Sequence, residues 1–428
     1  MWHVHQAPRR QPQASDRARD PSLDDIIGRR LLRPVFQPIV AISDGRVAGY
    51  EALIRGPADS VLHSPAQLFE AARPAGRTAE LDWIARSATF QHALDARLPE
   101  HLPLFVNVEP ASLRAACPPD LIAVNERAYR ELQVVVEITE RQLDHDPAAL
   151  VASITRLRER SARIALDDVG ANPSTLATLP LIAPEVIKLD RGIVHSRGSR
   201  LASRVVNAVL AESERTGAVI LAEGIETDRD LTVAASMGAT LGQGWFFGYP
   251  GALPHHHPPA GPELPRMPTG DLAARTPFEH ARRFRTARST TKELLIPLSR
   301  HIESQGLSSE SSVLLSTFQH HRYFLPTARR YRNLATRAFV VAVFGTDMPG
   351  EPCPGVRGSA LRADDPLVAE WNVIVIGTYF ACALFACDRR APSTSENSRE
   401  FDVIVSYDRD LIIDAARTLV SRLPAVTG

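Results

Sequence analysis

Eight short apolar runs, separated by amphipathic stretches of helical spacing, fill residues 23–250 and predict an α/β fold, a TIM-like (β/α)8 barrel followed by a smaller mixed α/β domain. Two further observations point the same way. About 230 residues is the length that eight β/α units require. Six of the runs also end, where a strand would stop, on a side chain able to bind a cation or carry charge: Glu51, Asn107, Glu137, the pair Asp167 and Asp168, Lys188, and Glu223. In a barrel of parallel strands those ends share one mouth, where the connecting loops build the site. An open doubly wound sheet uses the same alternation, but no Gly-rich turn follows the first strand to mark it.

Strand-like runs fall at 35–40, 47–53, 104–108, 134–138, 164–166, 186–189, 219–222 and 242–247. Helical periodicity covers 79–94, 147–159 and 201–216 between them. Residues 1–22 are rich in Arg, Gln, Pro and Ser without an apolar centre, which predicts a disordered lead-in rather than a signal peptide. Residues 251–275 are dominated by Pro, Gly and small side chains and read as an interdomain linker. The run His255, His256, His257 inside it reads as solvated loop, because consecutive residues in an extended segment do not all face one ion. A second unit spans 276–424, with helices at 278–304, 310–319 and 409–422 and strands at 338–344, 371–377, 380–387 and 401–406. A loop rich in Pro, Gly and Asp covers 346–366.

At 428 residues the chain exceeds one ordinary core, which again predicts two domains. Lys plus Arg equals Asp plus Glu at 49 each, so no global field attracts DNA or an anionic membrane surface. An anionic ligand must be held locally. Cys117, Cys353, Cys382 and Cys387 lack the spacing of a disulfide scaffold or a zinc ribbon. No apolar stretch approaches the roughly 20 residues of a membrane helix, so the expected setting is a reduced cytoplasm.

Carboxylates crowded at one rim would repel and raise one another's pKa unless cations held them, which predicts a divalent metal site. Oxygen ligands of this kind suit Mg²⁺ or Mn²⁺. Asp167 and Asp168 can both turn toward a mouth only at a strand end, because side chains alternate within a strand. Taken singly, each residue has a plainer reading. A strand-end acid is often a helix cap, Asn107 could start a turn, and Lys188 with Asp190 could be a surface pair. Lys188, however, closes an otherwise apolar strand, and a barrel interior does not tolerate an unpaired ammonium.

In chain order the sequence shows FQPIV at 36–40, EALIR at 51–55, NVEP at 107–110, VEITE at 136–140, ALDDVG at 165–170, IKLD at 187–190, AEGIET at 222–227 and LGQGWFFGYP at 241–250. These blocks resemble the EAL domain, the family of cyclic di-GMP phosphodiesterases. The resemblance implies hydrolysis of cyclic di-GMP to linear pGpG by water activated between two Mg²⁺ or Mn²⁺ ions. It implies that Glu51, Asn107, Glu137 and Asp167 hold one ion, and that Asp167 bridges to a second that Asp168 also binds. It gives Lys188 and Glu223 catalytic roles, with the general base left open between them. Arg55 would bind phosphate, and Gln243 would contact substrate or position the lysine. Glu140 would anchor the loop after the paired aspartates, with Ser174 as its hydrogen-bond partner, and the barrel would form a homodimer. The chain departs from the family's usual DDFGTGYSS by reading DDVGANPST from Asp167 to Thr175. Because that loop gates metal binding in the family, a second reading stands: a module that binds cyclic di-GMP and signals occupancy without turnover.

VIVIGTYFACALFACDR at 373–389 and REFDVIVSYDRDLIIDAARTLVSRL at 399–423 resemble the DICT sensory domain. That resemblance implies control of the barrel by an unidentified signal ligand or protein. Cys382 and Cys387 read as inert core. Arg329, Arg330, Arg332 and Arg337 read as a solvated helix face.

Overall fold

A computed structural model describes residues 20–139, 147–196, 199–257, 259, 263–267, 276–306, 311–390 and 395–424. Of the lead-in expected at 1–22, only 20–22 fall within this range, and Glu140 lies outside it.

Eight strands close into a barrel in chain order: β1 (Arg33–Ala41), β2 (Val47–Arg55), β3 (Leu104–Asn107), β4 (Val134–Thr139), β5 (Arg163–Val169), β6 (Val186–Leu189), β7 (Val219–Ala222) and β8 (Leu241–Gly242). From β2 to β8 the neighbours are parallel. β1 instead pairs antiparallel with both β2 and β8, which corrects the expectation of parallel strands throughout. The turn at 42–46 is too short for a crossover, so β1 and β2 form a hairpin and Gln37 lies in register opposite Glu51. The run expected at 242–247 is also corrected, since β8 ends at Gly242. A Cβ on Gly244 would sit 2.0 Å from the Ile225 carbonyl oxygen, so the chain can turn there only as glycine.

Ile39, Phe105, Val135, Ala165, Val186 and Leu221 pack inside the barrel together with Leu264. Leu264 comes from the Pro- and Gly-rich stretch after β8. Arg163, at the start of β5, donates to the Leu264 and Pro265 carbonyls at 3.3 and 3.0 Å, which ties that stretch across the amino-terminal ends of the parallel strands. The opposite rim stays open.

The second domain is one seven-stranded sheet in the order β12-β11-β10-β13-β14-β15-β9. Its strands are β9 (Arg288–Thr291), β10 (Ser312–His320), β11 (Val340–Thr346), β12 (Arg357–Ala360), β13 (Glu370–Gly377), β14 (Ala381–Asp388) and β15 (Glu400–Ser406). Three expectations are corrected here. The helix read at 310–319 is strand β10, whose SVLLSTF run is buried on both faces between β11 and β13, where apolar residues follow one another without helical spacing. The helix read at 278–304 is two helices, Pro277–Arg282 and Lys292–Gln305, separated by β9, whose Ser and Thr residues pair with β15. The loop read at 346–366 contains β12.

Helices Pro277–Arg282 and Arg409–Val420 cover one face of the sheet, and Lys292–Gln305 with Ala328–Ala335 cover the other. The first face also meets the barrel. Val151, Ala177 and Leu181 share one apolar core with Val313, Leu315, Ile376 and Leu419. Arg417 seals that contact by donating to the Pro180 and Leu181 carbonyls at 3.0 and 3.2 Å.

Candidate metal and phosphodiester site

The side chains singled out from the sequence converge at the open rim, although Glu51 lies mid-way along β2 and Asp167 and Asp168 lie within β5 rather than at strand ends, which corrects the sequence reading. Lys188 is 1 % exposed and lies at the centre. Its Nζ is 2.6 Å from Glu137 Oε1, 2.8 Å from Glu223 Oε1, 3.0 Å from Asp167 Oδ1 and 3.6 Å from Glu51 Oε2. Four strands thus aim four carboxylates at one ammonium. The plainer reading of Lys188 and Asp190 as a surface pair fails, because Asp190 instead caps the helix that follows β6.

Burial opposes the charge on Lys188, but the four carboxylates outweigh it and hold the ammonium well above its usual range. The carboxylates respond in the other direction. Burial pushes Glu137 well above the ordinary carboxyl value, and Glu51 and Asp167 add repulsion that Lys188 only partly offsets. Burial likewise pushes Glu223 up to about 8. Glu137 Oε2 is buried with no hydrogen-bond partner. One ammonium among four carboxyl groups, two of them pushed toward their neutral form, marks a cluster that further cations would stabilise.

Asp168 adds a fifth acid. Its φ of +58° is unusual for a residue with a side chain, and the β5–β6 register shifts between Leu166 and Val169. This bulge breaks the alternation of the strand, which allows both aspartates to turn to the rim. Oxygen atoms of Asp167, Asp168 and Glu223 lie within 4.8 Å of one another. Gly170 follows at φ +107°, where a Cβ would strike Ile193 and Val205.

An amide network holds Glu51. Gln243 Nε2 donates to Glu51 Oε2 at 2.6 Å and lies 3.1 Å from Gln37 Oε1, while Asn107 Nδ2 donates to Glu51 Oε1 at 3.2 Å. Gln243 is thus hydrogen-bonded to Glu51, itself 3.6 Å from the Lys188 Nζ. Gln37 was not singled out from sequence; the signal was an amide within the apolar strand FQPIV. Asn107 is exposed at the end of β3, open to the mouth. Arg55, four residues beyond Glu51 on β2, donates to the Ile54 carbonyl at 2.8 Å and pairs with no carboxylate among the described residues. A groove of about 1000 Å³ runs from Glu51 and Glu137 past Asn107 to Arg73, Asp82 and Arg86. The buried Asp82–Arg86 pair, 3.0 Å apart, forms part of its floor and also went unremarked in the sequence. The Glu140–Ser174 contact expected from sequence lies outside the described side chains; of Ser174 only the backbone, in the short helix Pro173–Thr178, is described.

A closed barrel with acids gathered around one lysine at the carboxyl ends of its strands defines the class as a TIM-like barrel with an acidic, metal-competent mouth. Residues 21–250, more than half of the chain, match the EAL domain family, and the chain belongs to it. Residues 275–389 match the family described as a sensory domain in diguanylate cyclases and two-component system. β15 and the helix Arg409–Val420 complete that sheet beyond the matched residues.

The chain is 30 % identical over 237 residues to the probable cyclic di-GMP phosphodiesterase PdeB of Escherichia coli K12, covering 54 % of this chain and 45 % of that protein. It is 29 % identical over 229 residues to the cyclic di-GMP phosphodiesterase RocR of Pseudomonas aeruginosa, covering 52 % of this chain and 57 % of that one. The match thus spans about half of these relatives. The structure of Klebsiella pneumoniae BlrP1 in complex with manganese and cyclic di-GMP is 28 % identical, with a TM-score of 0.46, and the match covers 51 % of this chain and 56 % of that one. Among the described residues no helix is long and apolar enough to cross a membrane.

Proposed function

We propose that the barrel hydrolyses cyclic di-GMP to linear pGpG with two divalent cations, Mg²⁺ or Mn²⁺, under control of the C-terminal domain. The observation that carries this is the set of four carboxylates around Lys188, with Glu137 Oε2 left unpartnered. The donor set fits hard divalent ions, since Glu51, Asn107, Glu137, Asp167 and Asp168 all offer oxygen. Ions held by these residues would shield the phosphodiester charge, acidify a water and stabilise the departing oxygen.

The chain's own residues supply the rest. The Lys188 ammonium lies within 3.0 Å of three carboxylate oxygens, which hold it charged, so it has no lone pair with which to take a proton. Glu223 is the most open of the four carboxylates at 21 % side-chain exposure, against 0 % for Glu137, and therefore faces incoming water. We assign the general base to Glu223 and the orientation of the carboxylates to Lys188. Arg55 offers a planar guanidinium to a phosphoryl oxygen. Trp245 and Tyr249, exposed just beyond Gln243 with ring centroids 5.6 Å apart, offer faces on which a base can stack.

Control has a direct route. The helical segment from Pro173 to Ile182 begins five residues after Asp168 and carries Ala177 and Leu181 into the core shared with the sheet of the second domain. The altered loop at 169–173 favours one competing reading, in which the same pocket binds the dinucleotide without turning it over. Incubation with cyclic di-GMP and Mn²⁺, followed by chromatography and a parallel binding measurement, separates the two. Linear product from the wild type and none from Glu51→Ala is the expected result. Binding without product would establish the competing reading, and neither binding nor product would overturn both.

A further inference from the structure

The C-terminal domain contains a cavity of about 220 Å³ between the helix Lys292–Gln305, the end of β10, the turn after it, and the edges of β13 and β15. It lies on the face of the sheet turned away from the barrel. Phe318, Tyr323, Trp371 and Phe401 form its apolar wall. Phe318 and Phe401 are buried, whereas Tyr323 and Trp371 are only half-buried, so part of each of these rings is left for a ligand to cover.

The polar lining is unbalanced. Lys292, Arg300, Arg322, Arg330 and Arg399 line the cavity against a single acid, Glu303. Glu303 is already engaged, 2.5 Å from Arg330 Nε and 2.9 Å from the Tyr331 hydroxyl. Lys292 and Arg399 share Glu396 at 2.6 and 2.7 Å, and Arg399 also pairs with Asp388. Neither Arg300 nor Arg322 has a carboxylate oxygen within 4 Å among the described residues, and Arg300 acts on Glu303 only at longer range. Arg322 instead lies 4.8 Å from the centre of the Tyr323 ring and donates to its hydroxyl at 3.0 Å. Two guanidinium groups with no carboxylate in close contact, Arg300 meeting Glu303 only at longer range, beside partly uncovered rings favour an occupant that is both flat and anionic. The volume falls below the roughly 300 Å³ at which drug-sized pockets begin, so a single ring with a short acidic arm fits and a dinucleotide does not.

We propose that this cavity is the ligand site of the sensory domain and that its ligand class is a small aromatic carboxylic acid. The rings of Tyr323 and Trp371 receive the aromatic body, and Arg300 and Arg322 receive the carboxylate. β10 links this site to the barrel, because Phe318 borders the cavity while Val313 and Leu315, on the opposite face of the same strand, belong to the core shared with Ala177 and Leu181.

The test uses the full chain and 4-hydroxybenzoate as the probe, with binding followed by calorimetry and by tryptophan fluorescence. Saturable binding is expected, with none for benzylamine, which keeps the ring and inverts the charge. Arg300→Gln combined with Arg322→Gln should weaken binding about tenfold or more while leaving the melting curve unchanged, since both side chains are exposed. Tyr323→Ala should weaken it independently. Glu51→Ala should bind the probe as the wild type does, which keeps this result separate from any failure of the barrel to hydrolyse cyclic di-GMP. No saturable binding, equal binding of benzylamine, or unchanged affinity in both variants would overturn the proposal.

Discussion

Lys188 occupies the space where cations are wanted, and its removal is the sharpest perturbation a single residue allows. Lys188→Met leaves Glu137 buried with neither ammonium nor hydrogen-bond partner. In the presence of a chelator the variant should lose on the order of 3 kcal/mol of stability, the scale of breaking a buried pair from one side. Added Mn²⁺ should restore much of that loss in a urea titration, because divalent ions neutralise the same carboxylates; loss that Mn²⁺ leaves untouched would argue against a shared site. The acids, Asn107 and Lys188 were legible in sequence because each interrupts a short apolar run, although only Asn107 and Glu223 fall at strand ends, while Glu51, Asp167 and Asp168 lie within β2 and β5. Gln37 was not, since it lies in the middle of β1 and reaches the site through an antiparallel pairing that no run of residues announces.

At the scale of elements, β13 carries a buried carboxyl whose hydrogen-bond donors are neutral. Glu370 accepts hydrogen bonds from the Phe278 backbone and from Asn372 Nδ2 at 3.2 and 2.8 Å, and burial pushes its carboxyl above the ordinary value. The folded chain therefore binds this proton more tightly than the unfolded one. Stability from this group is greatest below the ordinary carboxyl pKa of about 4.3 and falls as pH rises from there to the raised folded value. Glu370→Gln removes that decline, so its urea midpoint relative to wild type should climb as pH rises above the ordinary carboxyl value of about 4.3. A constant difference would show that the carboxyl is not perturbed. Strand β10 shows why element type was the weaker part of the sequence reading. A continuous apolar run buried on both faces has neither period two nor period 3.6, and only its place between β11 and β13 decides it. The helix Arg409–Val420 was legible because its charged residues keep to one face and Asp408 caps it.

Across the whole molecule, Arg417 is one of the polar contacts between the second domain and the barrel, beside the Arg215–Asp410 ion pair and the Tyr379 hydroxyl on the Arg204 carbonyl, and it donates to two carbonyls of the segment that follows the paired aspartates. Arg417→Ala should separate the melting transitions of the two domains and change the rate of cyclic di-GMP hydrolysis several-fold, as charge-assisted hydrogen bonds contribute about 1.5 to 3 kcal/mol each. Separated transitions with an unchanged rate would mean that the contact holds the domains together without controlling the site. The homodimer proposed for the barrel predicts a light-scattering mass of twice the 46.9 kDa chain; a mass of one chain at every concentration tested would exclude it. Architecture was legible at this scale from strand count and spacing, whereas the docking of the second domain was not, because it depends on Val151, Ala177 and Leu181, apolar residues indistinguishable in sequence from ordinary core. The account as a whole depends on the acidic rim taking up divalent cations. Calorimetric titration of Mn²⁺ into the metal-stripped chain should show saturable uptake of two ions that Asp167→Asn abolishes or halves. No uptake by the wild type, even with cyclic di-GMP present, would contradict it.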